Sequence, residues 1–166
     1  MTTVAEYLAT SYRPECELID GEIVERNTGD YEHSSAMAAV VGQLARRRRE
    51  WNIHVLIALR MQVSATRFRA PDICAVSRDQ APEPVLTRPP LVCIEILAEA
   101  DRFRAMRDRI EDFLSFGVPD IWIIDPARHD AWVCTRSGMH RPAGGVLKAT
   151  TSGVEIHLAD LFAQLD

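Results

Sequence analysis

Glu95 is the residue whose chemistry conflicts most with its surroundings. It lies in an apolar run from Leu91 to Leu97, which has the composition of a buried central strand. An unpaired carboxylate in such a strand costs several kcal/mol or takes up a proton, so a partner cation is expected. That partner is either a metal ion or an arginine that forms an ion pair with a glutamate near the strand end.

Asp72 supplies a second carboxylate. It follows Pro71 and opens a predicted strand that runs to Val76. If the strands that carry Asp72 and Glu95 are neighbours, opposed side chains lie about 5 Å apart. Two carboxylates at that distance repel each other unless a proton or a metal lies between them, and oxygen ligands alone favour Mg²⁺ or Mn²⁺. Taken by itself, Asp72 is more typical of a turn or a strand start.

Glu17 and His33 are weaker candidates. Glu17 precedes Asp20-Gly21, a pair that predicts a hairpin turn between two alternating runs. By itself it is unremarkable. His33 lies near the start of a long predicted helix, where a histidine can contact a ligand such as nucleic acid or shuttle a proton, but is more typically a surface residue.

Charge gives a mixed indication about nucleic acid. The net charge of -5 argues against broad, non-specific binding to nucleic acid. Basic residues are nevertheless concentrated at Arg46, Arg47, Arg48 and Arg49. These four either contact phosphate groups or form a solvated helix end that the helix macrodipole stabilises. Lys148 is the only lysine among the 19 basic residues.

The length and composition predict one domain over residues 1–166. No run approaches the roughly 20 apolar residues needed to span a membrane, and the N-terminus lacks the pattern of a signal peptide. The four cysteines share no metal-ligand spacing, so we expect reduced core residues. These features together predict a soluble protein of the cytoplasm.

The predicted elements must bring these side chains together. Their order is a short helix, a hairpin, a long helix, several strands, a helix and further strands, which predicts an α/β fold with a mixed central sheet flanked by helices. Helices are predicted at about 3–9, 32–51, 101–116 and 161–165. Strands outside the hairpin are predicted at 53–59, continued at 61–65, and at 72–76, 91–97, 120–124, 131–135 and 154–158.

Several segments together resemble one known family. They are Glu17-Leu18-Ile19-Asp20-Gly21-Glu22, His33 at a helix start, Arg69-Ala70-Pro71-Asp72, Ile94-Glu95-Ile96-Leu97, Gly117-Val118-Pro119 and Ile121-Trp122-Ile123-Ile124-Asp125-Pro126. In order and spacing they resemble the Uma-type family of putative restriction endonucleases, a branch of the PD-(D/E)XK nuclease superfamily. The resemblance covers nearly the whole chain.

This resemblance implies a restriction-endonuclease-like fold and hydrolysis of phosphodiester bonds in DNA with Mg²⁺ or Mn²⁺. Asp72 matches the aspartate of the PD element, Glu95 the acid of the second element, and Glu17 an additional early carboxylate. The resemblance therefore implies that these three hold the metal and take part in catalysis. DNA is the implied partner, and a homodimer is expected because relatives of this type tend to pair.

One position departs from the family pattern. In this branch the catalytic lysine lies on the helix after Glu95, eight residues before the glycine that ends it, and that position is Arg109. Arginine does not give up its proton, so it cannot act as a base, although it can stabilise negative charge. Arg109 points either towards the sheet and Glu95 or outwards, among surface pairs such as Arg107 and Glu111.

Two classes of function follow from that departure. A metal-held hydroxide needs no protein base, so Arg109 is compatible with a metal-dependent endonuclease. The alternative is a catalytically lapsed nuclease fold that binds nucleic acid or a protein partner. A purely structural domain, in which the carboxylates bind nothing, is the least favoured.

Overall fold

The computed structural model describes residues 1–26, 29–98 and 103–166. Within these ranges the helices are α1 (Val4–Ala9), α2 (Tyr31–Arg46), α3 (Phe103–Phe116) and α4 (Leu158–Ala163), with a 3₁₀ turn at Ala143–Gly145. None of the described helices is long and apolar enough to cross a membrane. The first two residues of the predicted 101–116 helix lie outside the described residues.

The strands of the described residues form three sheets. In chain order they are β1 (Cys16–Ile19), β2 (Glu22–Glu25), β3 (Ile53–Ile57), β4 (Met61–Ser64), β5 (Arg67–Arg69), β6 (Ile73–Ser77), β7 (Val92–Ile96), β8 (Asp120–Asp125), β9 (Asp130–Thr135), β10 (Gly138–His140), β11 (Val146–Lys148) and β12 (Glu155–His157). The six-stranded sheet has the order β10-β9-β8-β7-β6-β3, the four-stranded sheet has the order β2-β1-β5-β4, and β11 pairs with β12. Strands β7 and β8 are parallel while the other pairs are antiparallel, which confirms the predicted mixed sheet.

The N-terminal hairpin has the predicted turn. Asp20 and Gly21 have φ angles of 51° and 89°, and Ile19 pairs with Glu22 across a two-residue loop. Both central residues of a tight right-twisting hairpin need positive φ, which glycine adopts freely and aspartate tolerates. Strand β5, which the sequence did not predict, then pairs with β1 and holds the hairpin beside Arg69.

The six-stranded sheet is covered on both faces. Helix α2 begins at its N-cap Asp30 and buries Ala36, Val40 and Leu44 against one face, together with α4. Helix α3 buries Phe113 in a second apolar cluster on the other face. Successive residues of a strand point to opposite faces, so the two clusters use alternate positions of β6 and β7. The site described below lies at one end of these two strands.

Three predictions of element bounds were wrong. Helix α4 begins at Leu158 rather than at 161, so residue 158 is helical and does not end the last strand. Helix α2 ends at Arg46 rather than near 51, because the chain turns there: Asn52 has φ of 52°, and the backbone N–H of Ile53 donates to the carbonyl of Arg48. Residues 61–65 do not continue β3. Ala58 has φ of 51°, and the chain beyond it enters the four-stranded sheet as β4.

Candidate active site

Asp72 and Glu95 come together as the sequence predicts. Strands β6 and β7 are antiparallel neighbours with Ile73 opposite Ile94, so the next step of the register sets Asp72 beside Glu95. Their exposed fractions are 6% and 1%. Oδ1 of Asp72 and Oε2 of Glu95 lie 2.5 Å and 3.7 Å from the same atom, Nη2 of Arg26. The two carboxylates therefore face one shared cation position.

Glu17 reaches the same cleft from β1, and it is buried with both oxygens engaged. Its Oε1 accepts hydrogen bonds from the backbone N–H of Ala70 at 2.8 Å and from Nη1 of Arg109 at 2.5 Å. Its Oε2 accepts from Nη1 of Arg69 at 3.0 Å. Glu17 lies 3.7 Å from Arg26, so it borders the shared position while holding the arginines around it.

Arg109 points inwards, which decides between the two orientations that the sequence left open. Its guanidinium joins two carboxylates, with Nη1 on Glu17 and Nη2 2.6 Å from Oε1 of Glu95, and Nη2 also donates to the carbonyl of Ala70 at 3.2 Å. It lies 5.6 Å from the ring centre of Phe113. The sequence predicted either a metal ion or an arginine as the partner of Glu95, and the structure shows an arginine. Asp72 lies beside Glu95 in the same cluster.

Sequence reasoning assigned no role to two further arginines of this cluster. Arg26 follows β2 and contacts Asp72 and Glu95 as described, while its Nη1 donates to the carbonyl of Ala70. Arg69 lies on β5 and links Glu17 to Asp112, whose Oδ2 accepts from it at 2.7 Å. Arg69 belongs to the segment Arg69-Ala70-Pro71-Asp72 that carries the family resemblance. Its strand is short and contains two arginines, so its sequence looks the same as that of an exposed turn.

His33 belongs to the cleft rather than to the surface. Its side chain is buried, and its Nε2 lies 3.3 Å from Oδ2 of Asp72. The N-cap Asp30 accepts from the backbone N–H of His33 at 2.8 Å, so the first turn of α2 fixes the position of the imidazole. The same Oδ2 of Asp72 accepts from the backbone N–H of Ile96 at 2.8 Å.

Burial and the arginines move the pKa values of the three acids in different directions. Burial raises the pKa of Glu95 to about 7, because Arg109 offsets only part of that cost and the charge of Asp72 adds to it. Burial also acts on Glu17, but Arg109, Arg26 and Arg69 outweigh it and lower the pKa of Glu17. For Asp72, the hydrogen bond with His33 and the charge of Arg26 outweigh burial, so its pKa is lowered. The two carboxylates Glu95 and Asp72 therefore differ in how readily they ionise.

Arg46 to Arg49 lie at the other end of α2. From His33 to Arg46 the helix rises by roughly 20 Å, so these arginines do not line the cleft. Arg47 is engaged with Glu50 at 2.6 Å and Glu155 at 3.3 Å, and it lies 4.6 Å from the centre of the Trp51 ring. A role of this segment in contacting DNA stays a prediction.

The cleft has room for a ligand, and its donors suit a hard cation. Its volume is about 530 Å³, and Glu17, Asp72, Glu95, His33 and Arg109 line it. Carboxylate oxygens are the ligands that Mg²⁺ and Mn²⁺ prefer, and Asp72 and Glu95 converge on one position. Among residues 1–26, 29–98 and 103–166, no three acidic, histidine or cysteine side chains form a complete metal-binding cluster. Arginine nitrogens stand between the carboxylates instead.

Comparison with known proteins supports the fold and gives the family. The structure resembles the crystal structure of a putative nuclease belonging to DUF820 from Anabaena variabilis, with a TM-score of 0.86, 19% identity and full coverage of both chains. A cryo-electron-microscopy structure of a DrdV–DNA complex matches with a TM-score of 0.46 and 18% identity, over 80% of this chain and 11% of that one, which is too low to argue from. A search of curated proteins found no match. Residues 4–164 match the Uma2 family, described as putative restriction endonuclease, and the chain therefore belongs to that family.

Proposed function

We propose that this protein is a metal-dependent DNA endonuclease that hydrolyses phosphodiester bonds. The observation that carries the proposal is the convergence of Asp72 and Glu95, from neighbouring strands, on one cation position in a buried cleft. Two carboxylates at such a position repel each other unless a cation lies between them. Membership of a family of putative restriction endonucleases supports a nuclease in general.

Asp72 and Glu95 would hold Mg²⁺ or Mn²⁺, and Glu17 borders them. When bound, such an ion polarises a phosphoryl oxygen and lowers the pKa of a coordinated water. The side chains around it do the positioning: the backbone N–H of Ile96 and the imidazole of His33 hold Oδ2 of Asp72, which leaves Oδ1 directed at the shared position.

Arg109 supplies fixed positive charge in this scheme. Its partners Glu95 and Glu17 outweigh burial and raise its pKa above the ordinary value for arginine, so it remains a cation and does not act as a base. A buried cation fixed by two carboxylates is suited to stabilising the negative charge that develops on a phosphate during hydrolysis. The family's lysine position is thereby filled by a group with the same charge and a different proton chemistry.

A catalytically lapsed, nucleic-acid-binding or protein-binding domain is the second candidate. The observation that favours it is the partial neutralisation of the cleft: each of Glu17, Asp72 and Glu95 already contacts an arginine. Such a cluster holds its shape without a metal. DNA as the partner, a homodimer and a location in the cytoplasm are proposals under either function.

The test is a nicking and cleavage assay on supercoiled plasmid in Mg²⁺ or Mn²⁺. It compares wild type with Asp72→Asn, Glu95→Gln, Arg109→Lys and the matched control Glu155→Gln, a carboxylate paired with Arg47 at the far end of α2. Wild type and Glu155→Gln should cut, and chelation with EDTA should stop both. We expect Asp72→Asn and Glu95→Gln to lose at least about 100-fold, the scale of removing a group that stabilises the transition state.

Three other results would change the conclusion. Cutting that survives in both Asp72→Asn and Glu95→Gln would contradict the proposed site. A wild type that is inactive and gains cutting in Arg109→Lys would identify a lapsed nuclease. Retarded migration of DNA with no cutting in any folded variant would favour the binding function. Thermal unfolding of each variant in EDTA checks that the fold is intact.

A further inference from the structure

We infer that Arg26 occupies the cation position of the cleft when no metal is bound, and that a divalent cation binds by displacing its side chain. The inference rests on the proposed metal-dependent function and adds a residue that controls access to the site. Arg26 would lower the apparent affinity for metal without being one of the ligands.

The geometry of the guanidinium carries this inference. Nη2 of Arg26 lies 2.5 Å from Oδ1 of Asp72 and 3.7 Å from Oε2 of Glu95, the two oxygens that face the shared position. A Mg²⁺ or Mn²⁺ ion bonds oxygen at about 2.1 Å. A nitrogen and a metal ion therefore cannot both lie against Oδ1 of Asp72 on the side that faces Glu95. Binding of the ion requires the guanidinium to leave.

The charges of the cluster balance better after the exchange than before it. When all three are ionised, Glu17, Asp72 and Glu95 carry three negative charges, while Arg26 and Arg109 carry two positive charges, and Arg69 is shared with Asp112. Replacing Arg26 by a divalent cation brings the cluster to neutrality. Adding the cation while Arg26 remains would bury an excess positive charge, which is costly in a desolvated site.

Arg26 is placed so that its side chain can leave without moving the sheet. It follows the last residue of β2, and its backbone N–H donates to the carbonyl of Glu15 at 2.9 Å. Its side chain is 18% exposed, against 2% for those of Glu17 and Glu95. Asp72 keeps the backbone N–H of Ile96 and the imidazole of His33 as partners when the guanidinium is gone. The carbonyl of Ala70, to which Arg26 also donates, keeps Arg109 as a donor. Rotation of one side chain at the cleft rim therefore leaves these groups hydrogen-bonded.

Mn²⁺ binding to the full chain tests the inference, measured by calorimetry and by the loss of the electron paramagnetic resonance signal of free Mn²⁺. If the position is open in a tenth of the molecules or fewer, the apparent dissociation constant of wild type is raised about tenfold or more. We therefore expect Arg26→Gln to bind Mn²⁺ at least about tenfold more tightly than wild type.

Arg69→Gln is the matched control. It removes the same charge from an arginine that also contacts Glu17 but does not touch Asp72 or Glu95 in the described contacts. If electrostatic repulsion alone weakens metal binding, both variants should gain affinity equally. If Arg26 blocks the position, Arg69→Gln should change the dissociation constant by less than about threefold, since only a more distant and partly neutralised charge is lost.

A second measurement guards against a folding defect in these variants. In Arg26→Ala, methylguanidinium should weaken Mn²⁺ binding more than sodium chloride of equal ionic strength does, whereas in wild type the two salts should act alike. Equal affinities in wild type and Arg26→Gln, or equal gains in Arg26→Gln and Arg69→Gln, would overturn the inference alone. Failure of every folded variant to bind Mn²⁺ would overturn the metal site as well. If Arg26→Gln binds Mn²⁺ more tightly than wild type but neither protein cuts DNA, the result would support the proposed role of Arg26 and contradict the proposed endonuclease activity.

Discussion

The two ends of α2 hold arginine–carboxylate clusters that differ in burial. At its N-terminal end, His33 contacts Asp72, and Glu95 and Arg109 lie beside them. The exposed fraction of each of these four residues is at most 8%. At its C-terminal end the side chain of Arg47 is 42% exposed and pairs with Glu50 and Glu155. The same chemical groups meet at similar distances in both clusters.

Because of this difference in burial, the ion pairs of the two clusters contribute differently to the free energy of unfolding. Exposed ion pairs contribute little, because water and salt screen them and two long side chains must be held in place. In a buried cluster, each charge depends on its partners, since removing one leaves the other desolvated and unpaired. Single substitutions in the cleft should therefore change the free energy of unfolding most. Substitutions at the C-terminal end of α2 serve as controls.

Arg109→Met should have the largest effect on stability. The change leaves Glu17 and Glu95 buried without their shared cation, and breaking a buried pair in this way costs about 3–5 kcal/mol. Urea unfolding near neutral pH, in EDTA, measures the loss. Combining Arg109→Met with Glu95→Gln should cost less than the sum of the two single changes, and an additive result would contradict the coupling.

Glu95→Gln should stabilise the metal-free protein in a way that depends on pH. With its pKa raised from 4.5 to about 7, Glu95 keeps its proton in the folded state over a range in which the unfolded chain has lost it. The wild type therefore loses stability as the pH rises from about 4.5 to about 7, by up to about 3 kcal/mol, while the glutamine variant does not.

Urea unfolding at several pH values in EDTA measures this difference. The gap between the variant and wild type should be small near pH 4.5, widen towards pH 7 and stay level above it. A gap that is constant across this range would show that Glu95 does not titrate there. Glu50→Gln serves as the comparison, because its exposed carboxyl has a pKa lowered by the hydrogen bond with Arg47.

Asp30→Ala should have an intermediate effect on stability. Loss of the N-cap removes the hydrogen bond that Asp30 accepts from the backbone N–H of His33, and such a change costs about 1 kcal/mol. Because the first turn of α2 carries His33, Mn²⁺ affinity should fall as well. Thr3→Ala, which removes the N-cap of α1, controls for cap loss remote from His33 and should leave Mn²⁺ affinity unchanged.

Arg47→Met should have the smallest effect, although it breaks two ion pairs. We expect its urea midpoint to shift less than that of Arg109→Met or Asp30→Ala and to shift less still in 1 M salt, because screening already weakens exposed pairs. A loss of stability equal to that of Arg109→Met would contradict the contrast between the two ends of α2.

Glu95 and Asp72 could be predicted as candidates from their positions in predicted strands, whereas Glu17 was unremarkable by itself and was indicated only by the family resemblance. Glu95 interrupts an apolar strand, and Asp72 begins another. The hairpin turn at Asp20-Gly21 follows from local backbone chemistry alone. The family resemblance pointed to the position of Arg109, and the structure decided its direction.

Arg26 and Arg69 could not be predicted in this way. Arg26 follows an exposed hairpin strand, so its local pattern is that of a surface turn. Arg69 ends a three-residue strand that pairs with its chain neighbour β4 and also with β1, and the pairing with β1 joins distant parts of the chain. One signal was available: acids that meet in a buried site require partner cations, and with a single lysine in the chain the side chains that can supply that charge are mostly arginines.

The four cysteines allow unfolding of the protein to be followed by thiol labelling. Each is buried and free of disulfides, and burial raises the pKa of Cys74 to about 12 and that of Cys134 to about 11. Alkylating reagents react with the exposed thiolate, so the native chain should resist labelling until it unfolds. The rate at which the native thiols are labelled then reports the rate of unfolding. A cysteine introduced at the cleft rim can also be labelled selectively without first replacing the native four.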